Sequence, residues 1–357
     1  KQEIRDRSTV SALIEDYLAD SDHEWSDGHL RNCKRHGRVV TEEFGTLRPE
    51  DVTRAHVMGL WKKLTQRGSP YSANSTRAFV HSLFAWASDP DQAYLPEAHP
   101  NPAHRRRRRS SKKAKRSGGV GKNLEHKRQR VLLPEEEEYT RLLRAADSTG
   151  NPRDGAIIRL FMLSGLRRQE LLLRRWSDVD WKQRVLHIPG EGEGSTKNGE
   201  DHFVPLCDRA IEILKSIRDP QIISLDLDGA IFVRKDGLPL KSWQTTWLKI
   251  RSTAALRDWG PPDPGFRVQD IRRSVSTWLC EYRGFTDRET GLLLNHTPQA
   301  QSVTAMHYHS DLGGKLALNR RLVNELQEIM EICERGDEKE AFSTDGFAPA
   351  LLASNSA

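Results

Sequence analysis

WSDVDWKQRVLHIPGEGEGSTKNGEDHFVPL, residues 176–206, holds three short β-like runs separated by Asp, Gly and Asn turns, in a chain otherwise patterned for helices. Its centre, GEGEGSTKNGED (190–201), is too polar for a core and reads as a mobile hairpin tip that carries Lys197. A small antiparallel sheet embedded in a mainly helical unit is the expectation for this part of the chain.

Helices flank it on both sides. LLPEEEEYTRLLRAAD (132–147) reads as a helix with acids in its first turn, where they suit the helix dipole, and another follows over 153–164. Beyond the hairpin, helical patterns return at 208–219, 242–257, 268–284, 286–294 and 315–336. The last puts Leu318, Leu322, Leu326 and Ile329 on one face, and residues 337–357 read as a frayed, flexible tail. Nearer the start, residues 8–100 read as a helical bundle. Ser8 or Thr9 can cap a helix with Val10, Leu13, Ile14, Tyr17 and Leu18 on one face. VTRAHVMGLWKKLTQRG (52–68) repeats the pattern with Val57, Leu60, Trp61 and Leu64 and stops at Gly68. ANSTRAFVHSLFAWA (73–87) turns Phe79, Val80, Leu83, Phe84 and Trp86 to one side, an aromatic stripe read as core.

PEAHPNPAHRRRRR (96–109) breaks the helical pattern with three prolines, and SSKKAKRSGGVGK (110–122) has the composition of a tether. The expected organisation is a helical domain over 1–100, a basic linker over 101–130, a second domain over 131–336 and a tail. Between Arg105 and Arg130 lie thirteen Lys and Arg against one acid, a local +12 in a chain of net charge +6, so the remainder carries −6. Arg105, Arg106, Arg107, Arg108, Arg109, Lys112, Lys113, Lys115 and Arg116 form the densest part. Such a cluster reads as a polyphosphate contact, since each neutralised phosphate releases counterions.

Hydrophobic residues are 36% of the 357, and no run approaches the roughly 20 apolar residues of a membrane span. Cys33, Cys207, Cys280 and Cys333 show no CxxC spacing, so neither a disulfide framework nor structural zinc is expected. A reduced cytosol suits them. No signal-peptide pattern opens the chain, and its opening at Lys1 leads us to expect a preceding segment.

Cutting and rejoining a nucleic-acid strand without a metal needs a nucleophile, cations on the non-bridging oxygens and a proton for the departing oxygen. Arginine suits the clamp because its planar, always charged fork binds phosphate oxygens bidentately. Tyrosine suits the attack because its ester stores the phosphodiester energy for resealing. SGLRRQELLLRRW (164–176) offers Arg167 at a helix start, with Glu170 three residues on to orient it. QDIRRS (269–274) offers Arg272, NH (295–296) offers His296, and HYH (307–309) offers Tyr308. His307 and His309 are two apart, point to different faces of a helix and make poor joint metal ligands. Taken singly, each of these residues has an ordinary structural reading; the set in this order does not.

In that order the segments resemble those of the tyrosine recombinase (phage integrase) family over roughly residues 8–335. SGLRRQELLLRRWSDVDW resembles its first arginine box, STKNGEDHFVPL its lysine hairpin, VQDIRRSVSTWL its second arginine box and LLLNHTPQAQSVTAMHYHS its histidine-tyrosine segment. The resemblance implies a C-shaped clamp of an all-helical, SAM-like core-binding domain and a mainly helical catalytic domain with a small sheet. It implies that Arg167 and Arg272 clamp the scissile phosphate, Tyr308 attacks to give a 3′-phosphotyrosyl intermediate, Lys197 is the general acid, His296 bonds the phosphate and Glu170 buttresses Arg167. It implies double-stranded attachment-site DNA as substrate, a homotetramer on synapsed sites, DNA-bending and excision factors as accessories, no cofactor and no metal. The setting is a phage or other mobile element and a nucleoid-associated place in the cytoplasm. The segment around 315–336 resembles the one by which family members dock on a neighbouring subunit, with intrachain packing as the alternative.

Two departures stand out. The second box normally begins with His, sometimes Lys; here the position is Gln269, which can donate a hydrogen bond but not titrate as His does, so its expected role is positioning. Arg273 follows Arg272, and Arg272 keeps the motif's spacing. Two competing readings remain: a type IB topoisomerase-like relaxer, separated by a Holliday-junction assay, and a catalytically weakened DNA-binding protein, separated by any Tyr308-dependent covalent adduct.

Overall fold

A computed structural model of the chain describes residues 9–20, 24–68, 70–92, 94–96, 98–104, 131–132, 134–218, 229–257, 265–296 and 312–342. It divides into two units, Lys1–Arg128 and Gln129–Ala357.

In the first unit, α1 (Val10–Ala19) starts where Thr9 Oγ1 accepts the Ala12 N–H at 3.3 Å, and it buries Val10, Leu13, Ile14 and Tyr17 at helical spacing. Helix α2 (Asp27–Phe44), capped by Ser26, buries Cys33, His36, Gly37, Val40 and Phe44. The helix is absent from the sequence-based expectation because its buried stripe includes a glycine and a histidine among many charges. The structure satisfies that histidine: His36 Nδ1 lies 2.9 Å from Thr76 Oγ1 on a neighbouring helix. Helices α3 (Arg54–Gln66) and α4 (Pro70–Ala87) complete the unit. The aromatic stripe of α4 is core, as expected: Phe79, Val80, Leu83 and Phe84 are buried, and Tyr17 meets Trp25, Phe79 and Trp86 edge-on. Trp86 is half-buried and donates its indole N–H to Asp20 Oδ2 at 2.6 Å. The unit's core runs past residue 100, because Ala103 is buried in it and Arg54 Nη1 donates to His104 O at 2.6 Å. The basic residues from Arg105 to Arg116 lie outside the described residues.

The second unit is built around α6 (Pro152–Ser164), which is buried almost all round and packs on α5 (Glu138–Asp147) and on helices further along the chain. After α6 come α7 (Arg168–Leu172) and the three expected strands, β1 (Val179–Asp180), β2 (Val185–Ile188) and β3 (His202–Pro205). They form one antiparallel sheet in the order β1-β2-β3, with Val179 opposite Leu186 and Ile188 opposite His202. Leu186, Ile188, His202 and Val204 turn inward, the period-two pattern of a half-buried sheet. Helices α8 (Asp208–Ile217), α9 (Gln244–Thr253), α10 (Val268–Thr277), α11 (Asp287–Leu293) and α12 (Leu312–Arg335) follow. The apolar face of α12 packs within its own chain: Leu322, Leu326 and Ile329 are buried in the unit's core.

The expected tail needs correcting at its start. A short helix, α13 (Glu338–Ala341), places the Glu338 carboxylate over the first turn of α5, where it accepts the N–H groups of Tyr139 at 3.1 Å and Thr140 at 2.8 Å. Phe342 is buried beside Tyr139 and Trp278. Residues 343–357 lie outside the described residues. Among the described residues, no helix is long and apolar enough to cross a membrane.

Candidate active site

Helix α6 ends at Gly165, whose φ of 60° lies in the left-handed region and whose N–H donates to Phe161 O at 2.8 Å. Glycine is needed there twice over, because a Cβ would stand 2.4 Å from Leu294 Cδ2. The turn sends Leu166 into the core and leaves Arg167 in extended backbone ahead of α7. Glu170, buried one turn later, accepts the Arg167 backbone N–H at 2.8 Å with Oε2 and its Nη1 at 2.6 Å with Oε1. One carboxylate thus fixes both the main chain and the guanidinium of Arg167, whose side chain stays 27% exposed.

Arg272 comes from α10 and is only 7% exposed. Its Nη1 donates to Gly165 O at 2.7 Å, and its Nη2 donates to Leu294 O. Those two bonds leave three of its five N–H groups for a ligand. Nη1 also lies 4.0 Å from Glu170 Oε2, so the carboxylate stands between the two arginines. Burial, and then the charge of Arg167, pushes the Arg272 guanidinium down to about 10, with Glu170 opposing. Two guanidinium groups sharing one carboxylate carry a surplus positive charge in a partly desolvated recess, which is an anion receptor. Arg273 has a different partner: its exposed guanidinium bonds Asp270 Oδ1 at 2.6 Å. Gln269 is exposed on the same helix, three residues before Arg272.

His296 follows α11, with its backbone N–H donated to Gly291 O at 2.9 Å. The residue is exposed, yet the protein packed about its ring, and then the charges of Arg272 and Arg167, hold the imidazole below its ordinary value. Arg167, Glu170, Arg272 and His296 therefore share one neighbourhood. Lys197 sits exposed on the hairpin between β2 and β3. That hairpin, expected to be a free polar tip, is tied on both limbs. Buried Arg174 donates Nη2 to Gly194 O at 3.0 Å, and Asn198 and Asn295 join through their side-chain amides. Tyr308, with His307 and His309, lies outside the described residues. Among the described residues, no group of three or more His, Cys, Asp or Glu side chains converges as metal ligands would.

Arg174, Asn198, Asn295 and His202 are not among the residues that the sequence motifs single out. His202 could have been found, since strand alternation turns it inward with Val204. For the amide pair, the sequence holds no comparable signal.

The phage integrase family matches residues 134–311 of this chain. The prophage integrase IntF of Escherichia coli (strain K12) is 30% identical over 88 residues, 25% of this chain and 18% of that protein. The tyrosine recombinase XerC of Chlamydia trachomatis serovar L2 is 27% identical over 153 residues, 41% of this chain and 43% of that protein. The matched stretch thus spans less than half the length of either curated relative. Among solved structures, a λ integrase (75–356) dimer bound to a COC′ core site aligns with a TM-score of 0.59 at 17% identity, covering 82% of this chain and 97% of that one. The Tn1549 transposon integrase in complex with transposon right end DNA aligns with a TM-score of 0.58 at 14% identity, covering 84% and 98%. At these identities the structural likeness speaks for the fold. The sequence match encloses Arg167, Lys197, Arg272, His296 and Tyr308. Through residues 134–311 the chain belongs to the phage integrase family of tyrosine recombinases.

Proposed function

We propose that this protein is a site-specific DNA recombinase that cleaves and rejoins strands through a 3′-phosphotyrosyl intermediate, integrating or excising a phage or other mobile element. The observation that carries the reading is the Glu170 carboxylate set between Arg167 and Arg272, with His296 inside the field of both. In this reading the two guanidinium groups hold the non-bridging oxygens of the scissile phosphate, and charge developing there meets donors already in place. His296 bonds the same phosphate, and a neutral imidazole can donate to an anionic oxygen. Tyr308 attacks phosphorus, Lys197 protonates the departing 5′ oxygen, and Gln269 positions the phosphate. Double-stranded attachment sites are the substrate, four copies act on two synapsed sites, and DNA-bending and excision factors assist. The setting is the nucleoid within the cytoplasm. The λ integrase tetramer solved on a Holliday junction supports strand exchange over simple relaxation.

The test is incubation in EDTA with attachment-site DNA nicked next to the scissile phosphate. A protein–DNA adduct that survives denaturation and disappears in Tyr308→Phe is the expected result. Tight binding with no adduct would favour the weakened binder to which Gln269 points, and Gln269→His would then be the first repair.

The linker from Arg105 is proposed to add sequence-independent phosphate contacts. Deleting 105–115 removes eight cations, Arg105–Arg109, Lys112, Lys113 and Lys115. It should weaken DNA binding and flatten the slope of log K against log salt, by about 0.9 for each phosphate that is no longer neutralised. Titrations at several salt concentrations measure this, and an unchanged slope would remove the linker from the interface.

A further inference from the structure

An ammonium on an exposed hairpin is a poor acid for a buried phosphate unless the hairpin is held, because misplacement by about 1 Å can cost on the order of 10²-fold. Contacts to other segments on both sides of Lys197 help to hold this one. Ahead of Lys197, Arg174, 2% exposed, reaches from the end of α7 to the Gly194 carbonyl. Just after it, Asn198 Nδ2 lies 3.3 Å from Asn295 Oδ1, and Asn295 Nδ2 lies 3.2 Å from Asn198 Oδ1. Asn295 is 8% exposed and has a φ of 48°, a backbone that asparagine tolerates better than most residues with a side chain. Glycine would take that backbone freely but could not reach Asn198. Asn295 also stands between Leu294, whose carbonyl holds Arg272, and His296. The amide pair therefore ties the hairpin of Lys197 to the segment that secures the phosphate-binding groups.

We propose that Asn198 and Asn295 are positioning residues: their paired amides form a latch that sets the Lys197 ammonium at the departing 5′ oxygen. The inference rests on the strand-cleaving function proposed above. In that step the Tyr308 oxygen bonds to phosphorus, and the bond from phosphorus to the 5′ oxygen breaks with its electron pair going to that oxygen. Lys197 Nζ gives the 5′ oxygen a proton. The phenol's proton passes to water, and Lys197 is reprotonated from water, so the protons balance. The latch touches neither phosphorus nor either reacting oxygen. It acts only through the proton delivered by Lys197.

Replacing the bridging 5′ oxygen by sulfur provides the test. A thiolate leaves without a proton, its conjugate acid having a pKa of about 8–9, so a defect confined to proton delivery vanishes on sulfur DNA. The probe is duplex DNA that the full chain retains from a random library, rebuilt with a nick beside the cleavage point in oxygen and sulfur forms. Asn198→Ala, Asn295→Gly and Lys197→Ala are compared with the parent. Asn295→Gly keeps the left-handed backbone, which separates loss of the amide from misfolding. Both asparagine variants should form the adduct about 10- to 100-fold more slowly on oxygen DNA. They should work near the parent rate on sulfur DNA, with DNA retention unchanged. Equal slowing on both DNAs, or no slowing on either, overturns the latch. So does a Lys197→Ala variant that sulfur does not rescue, since Lys197 is then not the acid. A parent that forms no adduct on either DNA overturns the strand-cleaving function itself, a result distinct from the others.

Discussion

Arg272→Gln will slow strand cleavage by about 10³-fold or more while leaving thermal stability almost unchanged. Removing one preorganised donor from a site that stabilises developing charge costs about 10²–10³ in rate, and here a full charge goes with it. The stability side is a near balance of opposing effects. In the parent, Arg272 bonds the carbonyls of Gly165 and Leu294, and each buried carbonyl left without a partner costs about 1–3 kcal/mol. Glutamine keeps a two-donor amide, so no more than one of these bonds need be lost outright. Against that stands relief. The parent carries a guanidinium pushed down to about 10 by burial and by Arg167, a penalty of about 3 kcal/mol. The two nearly cancel, and the melting temperature should move by no more than a few degrees. Adduct formation on nicked DNA and calorimetry measure the two arms. Cleavage within about tenfold of the parent would remove Arg272 from the phosphate clamp. A fall in melting temperature of more than about 10 °C would mean that Arg272 holds the fold together rather than straining it. Under the proposed function, the like-charge strain between Arg272 and Arg167 would be relieved by an incoming phosphate.

Arg272 and His296 were legible through motifs that resemble those of a known family, and Glu170 because its partner lies close along the chain. Glu170 and Arg167 are three residues apart at a helix start, where the N-cap and third helical positions meet. The sheet was legible because three short β-like runs are separated by Asp, Gly and Asn turns and the loop over 190–201 is too polar to bury. Helix α2 was missed because its buried stripe is thin, and the closing contacts of α13 were missed because a short charged stretch resembles a tail. Glu338 finds its partners 198 and 199 positions away. The supports of Arg272 were hidden for another reason. They are backbone carbonyls, of Gly165 and Leu294, and a carbonyl has no letter in the sequence. The amide pair shows the limit most plainly. Asn198 and Asn295 are 97 residues apart, and either letter alone reads as an ordinary turn residue.

Acid will destabilise the second unit through His202, and His202→Gln will remove most of that sensitivity. The ring is 1% exposed on β3, against the backbone of Leu293. Its Nε2 lies 3.0 Å from Leu293 O and must carry the proton, while Nδ1 is buried with no hydrogen-bond partner among the described residues. Burial, then the charge of Lys315, with Arg272 and Arg167 adding to it, drives the imidazole down to about 3; the bond to Leu293 opposes them. An unfolded histidine titrates near 6.5. Above that pH both states are neutral and the group leaves stability untouched. Between about 6.5 and about 3 the unfolded chain binds a proton that the folded chain refuses, so stability falls as pH falls. At about pH 5 the loss from this one group is about 2 kcal/mol. Other carboxylates and histidines titrate over the same range, so the informative quantity is the difference between parent and variant. Denaturant unfolding at about pH 7.5 and about pH 5 should show the parent losing about 2 kcal/mol more than His202→Gln. Equal losses would mean that the ring takes up its proton in the folded state, with an unseen partner at Nδ1. The neutral ring bears on function, because Leu293 is hydrogen-bonded to His202 and the next residue, Leu294, holds Arg272. A folded chain that refuses the proton down to about pH 3 keeps this support intact, so His202 should not cost cleavage at any pH where the fold survives.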